Sequence, residues 1–183
     1  MSNIAIKWGG TIDKFIGDAI LIFFGDPNTK GNAEDAVACV SMALDMLEEL
    51  KKLRVSWKKR GLAKPLNARI GIHSGECTVG NFGSEDRLDY TIIGNGVNLA
   101  SRLESNSNIN KILLSEDTYL LIKNQIMCEK KDAINVKGIS YPVQTYEVTG
   151  FSDKNKDLIE KNIPGLSLSF DISEIEDDKV AIE

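Results

Sequence analysis

Two charged residues lie near a predicted turn at the start of the chain, where their side chains could contact a cation or a polar ligand. Asp18 follows Gly17 between two apolar runs, and carboxylate oxygens are the ligands that Mg²⁺ prefers. The same Gly-Asp pair is also ordinary turn chemistry. Lys14 lies in the first apolar run, either as a solvated edge residue or as a donor to acceptor atoms of a ligand. The residue types alone do not decide whether Asp18 is a metal ligand or a turn residue, or whether Lys14 binds a ligand or is solvated.

A second candidate site combines an amide with a guanidinium group. Asn98 and Arg102 are four residues apart in a segment predicted to be helical, so they lie on one face, a single turn apart. Asn can orient a hydroxyl group, and Arg can neutralise the charge that develops on a phosphate. The preceding residues Gly94-Asn95-Gly96 have a flexible backbone whose amides can approach a phosphate. The alternative is a solvated helix face on which Arg102 pairs with a nearby acid.

The remaining candidates are isolated. Arg69 and Lys137 are separate cations in strand-like segments, and neither is informative alone. His73, the only histidine, follows a predicted strand, where a hydrogen-bonded structural role is favoured over catalysis. The chain has no Gly-x-x-x-x-Gly-Lys phosphate loop and no His-x-x-x-His metal helix, so neither of those site types is predicted.

The elements that must position these residues follow from apolar periodicity and turn residues. Runs 11–16 and 19–24 predict a β-hairpin with Gly17-Asp18 at its turn. Apolar residues at helical spacing predict a long helix that begins with Asn32 as N-cap and stops at Gly61. The later elements are expected to be a strand ending at His73, a hairpin over 76–90, a helix over 97–104, a strand over 111–114, a helix over 115–123 and strands over 128–136 and 143–148. Hairpin-linked strands favour α+β layers over a parallel doubly wound sheet.

Composition narrows the function classes and divides the chain. Of 183 residues, 42% are hydrophobic and 27% charged, which is typical of a soluble globular domain. Residues 151–183 contain nine acids and four lysines, which accounts for the net charge of −5. The neutral remainder lacks the basic footprint of a nucleic-acid binder. Three widely spaced cysteines and no signal-peptide or membrane-spanning pattern favour a cytoplasmic protein.

Three segments together resemble the catalytic domain of class III adenylyl and guanylyl cyclases. Residues 9–20 read GGTIDKFIGDAI and resemble that family's hairpin. Residues 69–75, RIGIHSG, and 89–104, DYTIIGNGVNLASRLE, resemble its central strand and catalytic helix in the same order. The resemblance extends over residues 1–149 and leaves 150–183 as an acidic tail or linker.

The resemblance implies a fold and a reaction. The expected fold is α+β, a ferredoxin-like sandwich of mostly antiparallel sheet with helices, and the expected assembly is a homodimer with active sites at its interface. The expected reaction converts ATP to 3′,5′-cyclic AMP and pyrophosphate, by attack of the 3′-hydroxyl on the α-phosphate with the help of two Mg²⁺ or Mn²⁺ ions.

Base and metal recognition are implied at three positions. Asp18 matches one of the family's two metal-binding aspartates. Lys14 matches the base-reading lysine of adenylyl cyclases, where guanylyl cyclases have glutamate. Thr91 falls at the second base-reading position, which is Asp or Thr in adenylyl cyclases and typically Cys in guanylyl cyclases.

Phosphate chemistry is implied at four further positions. Asn98 and Arg102 match the pair that acts on the transition state, with Arg102 stabilising charge on the phosphates. Arg69 and Lys137 match cations that bind the polyphosphate.

One element of the family pattern is not found in these residues. The family's other metal-binding aspartate lies in a Phe-x-Asp-Ile-x-x-Phe-Thr strand upstream of residue 1. We therefore expect this sequence to be part of a longer cyclase or to start at an internal Met, rather than to be a degenerate homologue, because the other matched residues are intact. The 183 residues alone are expected to cyclise ATP negligibly. The alternatives are a non-catalytic module for dimerisation or nucleotide binding and a guanylyl cyclase.

Overall fold

Helices and short strands alternate along the chain in the computed structural model, which describes residues 1–152 except 63, 65, 85, 86, 137 and 139, together with the backbone of 158–163 and 166–171. The helices of this part are α1 (Ser2–Lys7), α2 (Asn32–Lys59), α3 (Asn95–Asn106) and α4 (Glu116–Ile122). The strands are β1 (Thr11–Ile16), β2 (Ala19–Phe23), β3 (Ile70–Ile72), β4 (Thr78–Ser84), β5 (Arg87–Ile93), β6 (Ile112–Ser115), β7 (Ile126–Ile134), β8 (Val143–Phe151), β9 (Leu158–Ile163) and β10 (Leu166–Asp171). Both predicted hairpins and the predicted helices and strands are confirmed, with shifts of a few residues at their ends.

The strands form one four-stranded sheet and three antiparallel pairs. The sheet has the order β3-β6-β8-β7, in which β3 and β6 are parallel and the other neighbours are antiparallel. The pairs are β1 with β2, β4 with β5 and β9 with β10. Parallel pairing occurs only once in this part of the chain because only β3 and β6 are joined by a crossover that contains a hairpin and a helix. The α+β prediction is therefore confirmed.

Apolar side chains cover both faces of the four-stranded sheet. Ile112 and Leu114 of β6 belong to a buried cluster with residues of α2 and α4, whereas Leu113 between them packs with Leu99 and Leu103 of α3. This alternation follows from the two-residue period of a strand. The sheet therefore lies between α2 with α4 on one side and α3 on the other, which is the sandwich that the resemblance implies.

The start of α2 differs from its prediction. Asn32 is the first helical residue, and Gly31, at φ +106°, occupies the N-cap. The carboxylate of Asp35 accepts hydrogen bonds from the Thr29 hydroxyl and the Lys30 backbone amide, so it ties down the preceding loop rather than completing a cap with Asn32. The other end is as expected, because Gly61 follows the helix with φ +83°.

No helix in the described part of the chain combines the length and the apolar character needed to cross a membrane. The 28 residues of α2 make it long enough, but lysines and acids recur along its exposed side.

Helix α3 approaches strand β3 at a single glycine. A Cβ atom on Gly71 would lie 2.1 Å from the Glu104 backbone nitrogen and 2.3 Å from the Ala100 carbonyl oxygen. Both atoms belong to the backbone of α3, so neither can move aside as a flexible side chain would. The absence of a side chain at Gly71 therefore sets how closely the helix that carries Asn98 and Arg102 packs on the sheet.

We predict that Gly71→Ala displaces α3. The added methyl group cannot be accommodated against backbone atoms, so we expect the free energy of unfolding to fall by about 1–3 kcal/mol or more. Gly80→Ala is the control, because its Cβ would meet nothing nearer than the Phe82 ring at 3.8 Å. Denaturant unfolding of both variants measures the effect. Equal stability of the two variants would contradict the argument.

Candidate functional site

The structure brings Lys14 and Thr91 together through a residue between them. The Thr91 hydroxyl donates to Asp13 Oδ2 at 2.6 Å, and the Ile92 backbone amide donates to the same oxygen at 3.0 Å. The Lys14 Nζ atom lies 3.2 Å from Asp13 Oδ1. The Asp13 side chain is 1% exposed and that of Lys14 is 47% exposed. A buried carboxylate thus links β1 to β5 and leaves the lysine at the surface.

The charge state of Asp13 follows from these contacts. Burial by itself raises the pKa of the Asp13 carboxyl, but the hydrogen bonds from Thr91 and Ile92 and the charge of Lys14 outweigh it. The pKa is therefore lower than its ordinary value of 3.8, and the group is a carboxylate at neutral pH. A carboxylate only accepts hydrogen bonds, so every polar neighbour must present a proton to it.

Asp18 lies in the exposed turn between β1 and β2, next to Gly17 at φ +63°. Its carboxylate faces solvent and is available to a cation, while Asp13 is already committed to three donors. Among the described residues, no three His, Cys, Asp or Glu side chains form a group that could hold a metal ion. Mg²⁺ commonly uses one or two carboxylates together with substrate phosphates, so Asp18 fits a part of such a site.

Asn98 and Arg102 are both exposed on α3, one turn apart. Within the described part of the chain, neither side chain has a hydrogen bond or an ion pair, so the alternative in which Arg102 pairs with a nearby acid is not found. The backbone carbonyl of Arg102 accepts a hydrogen bond from the Asn106 side chain. The two polar groups are therefore free to contact a ligand at the surface of the helix.

Arg69 is held on the same helix by an acid. Its Nε atom donates to Glu104 Oε1 at 3.0 Å, and both side chains are more than a third exposed. Exposed pairs of this kind contribute little to stability, so the guanidinium can exchange Glu104 for another anion at small cost. Lys137, the other predicted polyphosphate cation, lies outside the described residues.

His73 occupies a packed position at the end of β3. Its Nδ1 atom is 2.8 Å from the Ser115 hydroxyl. Burial lowers the pKa of His73, and the Asp117 carboxylate only partly opposes this effect. A Cβ on Gly96 would lie 3.1 Å from Cys77 Sγ and 3.2 Å from His73 Cδ2. Gly96 thus allows the start of α3 to pack on these side chains, and His73 has the hydrogen-bonded structural position that the sequence favours.

The predicted residues fall into three groups. Lys14 and Thr91 meet at Asp13, and Arg69 joins the helix of Asn98 and Arg102, while Asp18 is separate at the hairpin turn. Two partners were missed by the sequence reasoning, Asp13 and Glu104. An acid beside Lys14 in an otherwise apolar run was the available signal for Asp13, because a charge buried in a strand requires partners.

Comparison with known proteins gives concordant matches. The family model described as adenylate and guanylate cyclase catalytic domain matches residues 11–150. The adenylate cyclase of Dictyostelium discoideum that is specific for terminal differentiation is 32% identical over 160 residues, or 85% of this chain. This chain spans 7% of the length of that relative.

Solved structures of both cyclase types are similar to this fold. The adenylyl cyclase CyaB from P. aeruginosa is 58% identical with a TM-score of 0.79, over 81% of this chain and 76% of that chain. The guanylate cyclase domain of RhGC from Catenaria anguillulae, solved in complex with GTP, is 34% identical with a TM-score of 0.72. That match covers 82% of this chain and 78% of the other.

We predict that the contribution of Asp13 to stability depends on pH. Because its pKa is lowered on folding, the carboxylate stabilises the fold fully above its ordinary pKa of 3.8, and this contribution is lost as pH falls through the folded-state pKa. Asp13→Asn should therefore be less stable than the parent at pH 7, and the difference should shrink below about pH 4. Denaturant unfolding at pH 7, 5 and 3 checks this; a difference that does not change with pH would refute it.

Proposed function

The chain belongs to the adenylate and guanylate cyclase catalytic domain family, and we propose that it converts ATP to 3′,5′-cyclic AMP and pyrophosphate. The observation that carries the choice of ATP is the meeting of Lys14 and Thr91 at the Asp13 carboxylate. The high identity to a solved adenylyl cyclase supports the same choice.

The two side chains suit the edge of adenine. The Lys14 ammonium group can only donate, which matches the N1 acceptor of adenine and opposes the N1 donor of guanine. The Thr91 hydroxyl can accept from the 6-amino group of adenine, whereas guanine has a carbonyl oxygen at that position. A polar group left unpaired in a site costs about 1–3 kcal/mol, so Lys14 disfavours the N1 donor of guanine. The Thr91 hydroxyl discriminates between the bases only when its proton is engaged elsewhere.

The phosphate end of the substrate is assigned to α3 and its neighbours. In the reaction, a bond forms between the ribose 3′-oxygen and the α-phosphorus, and the bond from that phosphorus to the bridging oxygen of the β-phosphate breaks. The proton of the 3′-hydroxyl passes to water or to a phosphate oxygen, and pyrophosphate leaves. Asn98 orients the nucleotide, and Arg102 neutralises charge that grows on the phosphates during this exchange. Arg69 and Lys137 bind the polyphosphate as it becomes pyrophosphate.

Asp18 is the residue that we assign to the metal ions. Its exposed carboxylate is a hard oxygen ligand of the type that Mg²⁺ and Mn²⁺ accept. When bound, such ions polarise phosphate oxygens and lower the barrier to attack by the hydroxyl. Two ions per site are proposed, with the substrate phosphates and other oxygen groups completing their coordination.

A homodimer with active sites at its interface is the assembly that we propose. Large apolar side chains are exposed on both hairpins, namely Phe15, Ile16, Leu88, Tyr90 and Ile93. Exposed apolar groups close to polar ligand-binding residues are typical of an interaction surface. The predicted residues Lys14, Asp18, Arg69, Asn98 and Arg102 are exposed on one chain, so a second copy is proposed to enclose the nucleotide.

We also propose which residues form the catalytic unit and in which compartment the reaction takes place. Residues 1–149 are the catalytic unit, and 150–183 are an acidic tail or linker, although β8 continues to Phe151. The three cysteines are free thiols, which supports a reducing cytoplasm and a role in intracellular signalling.

The first prediction for this function concerns the base. Replacing Lys14 by Glu together with Thr91 by Cys should reverse the pattern of donors and acceptors and lower the ratio of kcat/KM for ATP over GTP by about tenfold to a hundredfold. Thr91→Ser retains the hydroxyl and is the control. Turnover of both nucleotides is measured with Mg²⁺ and with Mn²⁺ on the chain extended by the family's Phe-x-Asp-Ile-x-x-Phe-Thr strand, because the 183 residues alone are expected to cyclise ATP negligibly. A parent protein that prefers GTP would overturn the assignment of ATP.

The second prediction concerns the transition state. Asn98→Ala and Arg102→Ala should each lower kcat by about 10²–10³-fold, the scale of one lost charge-stabilising donor, with a much smaller change in KM. Arg60→Ala, at the exposed end of α2, is the control for loss of a surface guanidinium. Steady-state kinetics with ATP on the same extended chain separates the two parameters. If KM rises while kcat is unchanged, the two residues bind only the ground state.

A further inference from the structure

Asp13 has no role in the reaction described above, yet its carboxylate is almost fully buried at the proposed base-reading end of the site. Its side chain is 1% exposed, and it contacts both Lys14 and Thr91. Burying a carboxylate is costly unless donors surround it. The alternation of buried and exposed side chains along a strand therefore does not by itself explain why a carboxylate is buried at position 13.

The hydrogen bond from Thr91 to Asp13 fixes the direction of the Thr91 hydroxyl proton. A threonine hydroxyl has one proton and can rotate to donate or to accept. Because Asp13 Oδ2 only accepts, and lies 2.6 Å from Thr91 Oγ1, the proton points at the carboxylate. Thr91 is itself buried at 6% exposure, so the carboxylate has little competition from water. Any ligand at this hydroxyl therefore meets its lone pairs.

We propose that Asp13 is a positioning residue that fixes the Thr91 hydroxyl as a hydrogen-bond acceptor, and thereby makes the site select a purine that has an amino group at position 6. This inference rests on the proposed function, because it deepens the choice of ATP. An unconstrained hydroxyl would donate to a 6-oxo group as readily as it accepts from a 6-amino group. The hydrogen bond to Asp13 prevents the Thr91 hydroxyl from donating to a 6-oxo group.

The second oxygen of Asp13 acts on Lys14. Asp13 Oδ1 is buried and has no hydrogen bond in the described part of the chain, and Lys14 Nζ lies 3.2 Å from it. The opposite charge holds the ammonium group beside Thr91, although about half of the lysine side chain is exposed. One carboxylate thus positions a donor through one oxygen and an acceptor through the other.

A purely structural role makes a different prediction. If Asp13 only joins β1 to β5, its removal should lower stability and reduce the binding of all nucleotides alike. If it sets the polarity of Thr91, its removal should change the discrimination at position 6 specifically. The two oxygens can be separated by substitution, because Asp13→Asn keeps an acceptor for Thr91 and Ile92 but loses the charge beside Lys14, whereas Asp13→Ala loses both.

The test uses four nucleotides on the purified protein. ATP, GTP, purine riboside triphosphate and 6-methoxypurine riboside triphosphate each displace a fluorescent ATP analogue, so binding is measured whether or not the protein turns over. The methoxy nucleotide keeps the N1 acceptor of adenine but places an acceptor oxygen at position 6, so it probes Thr91 apart from Lys14. The parent should bind ATP about tenfold more tightly than the methoxy nucleotide, with the unsubstituted purine between them.

Variants of Asp13 and Thr91 show which side chains cause the preference for ATP over the methoxy nucleotide. Asp13→Ala should reduce the ratio of ATP to methoxy-nucleotide affinity about tenfold, and Asp13→Asn should retain that ratio while weakening the binding of ATP. In a Thr91→Val background, Asp13→Ala should leave the ratio unchanged, because the hydroxyl it acts through is absent. Asp45→Ala is the matched control, since Asp45 also accepts from a lysine and a neutral donor, Lys7 and Trp8, away from the site.

The outcomes distinguish this inference from the proposed function. A parent that does not prefer ATP to GTP contradicts the proposed function. A parent that prefers ATP to GTP, but binds the methoxy nucleotide as tightly as ATP, overturns the inference alone. The inference also fails if Asp13→Ala folds and keeps the parent ratio. If Asp13→Ala does not fold, the order of the three 6-substituents on the parent still decides the polarity of Thr91.

Discussion

The arrangement of the two residues proposed to read the base depends on one buried carboxylate. Asp13 joins β1 to β5 by accepting from Thr91 and Ile92 and by facing Lys14, so the two hairpins meet at an ionic group as well as at the ring contact of Phe23 with Tyr90. Such a group costs stability unless it has partners, and here two hydrogen bonds to Oδ2 and the Lys14 charge near Oδ1 offset that cost. The same requirement dictates which way the neighbouring hydrogen-bonding groups point. The fold therefore determines the polarity of its ligand surface before any ligand binds.

Local patterns made most of the fold predictable. Turn residues between apolar runs give both hairpins, and helical spacing over many residues gives α2, because these signals lie within a few residues of each other. The role of Asp13 was not predictable in this way, since it arises from a contact 78 residues along the chain. The N-cap of α2 was misjudged for a related reason, because Asp35 bonds to the loop before the helix and Gly31 occupies the cap.

The residues proposed to bind the phosphates are positioned by the packing of α3 and by an exposed ion pair, not by a buried charge. Gly71 allows α3 to pack closely on β3, and the exposed Glu104 of that helix pairs with Arg69, so a predicted phosphate-binding cation is held against α3. An exposed pair is worth only about 0–1 kcal/mol, so an incoming polyphosphate can replace Glu104 at little cost. Asn98 and Arg102 beside it are exposed. The residue types in the sequence predict Arg69, Asn98 and Arg102 as site residues. The packing of α3 on β3 explains why these residues lie on one surface.

The contrast between the two ends has a physical consequence for the assembled protein. The groups proposed to read the base contact a buried acid within one chain, so their arrangement exists in the monomer. The groups proposed to meet the phosphates are exposed, and exposed apolar residues lie on both hairpins. These apolar residues flank Lys14 in β1 and Thr91 in β5, so association of two copies through the hairpins would remove water from the exposed half of the Lys14 side chain, where screening weakens its charge. We therefore expect the direction of the Thr91 hydroxyl proton to be a property of the folded chain, whereas the contact of Lys14 with a ligand is strengthened by association.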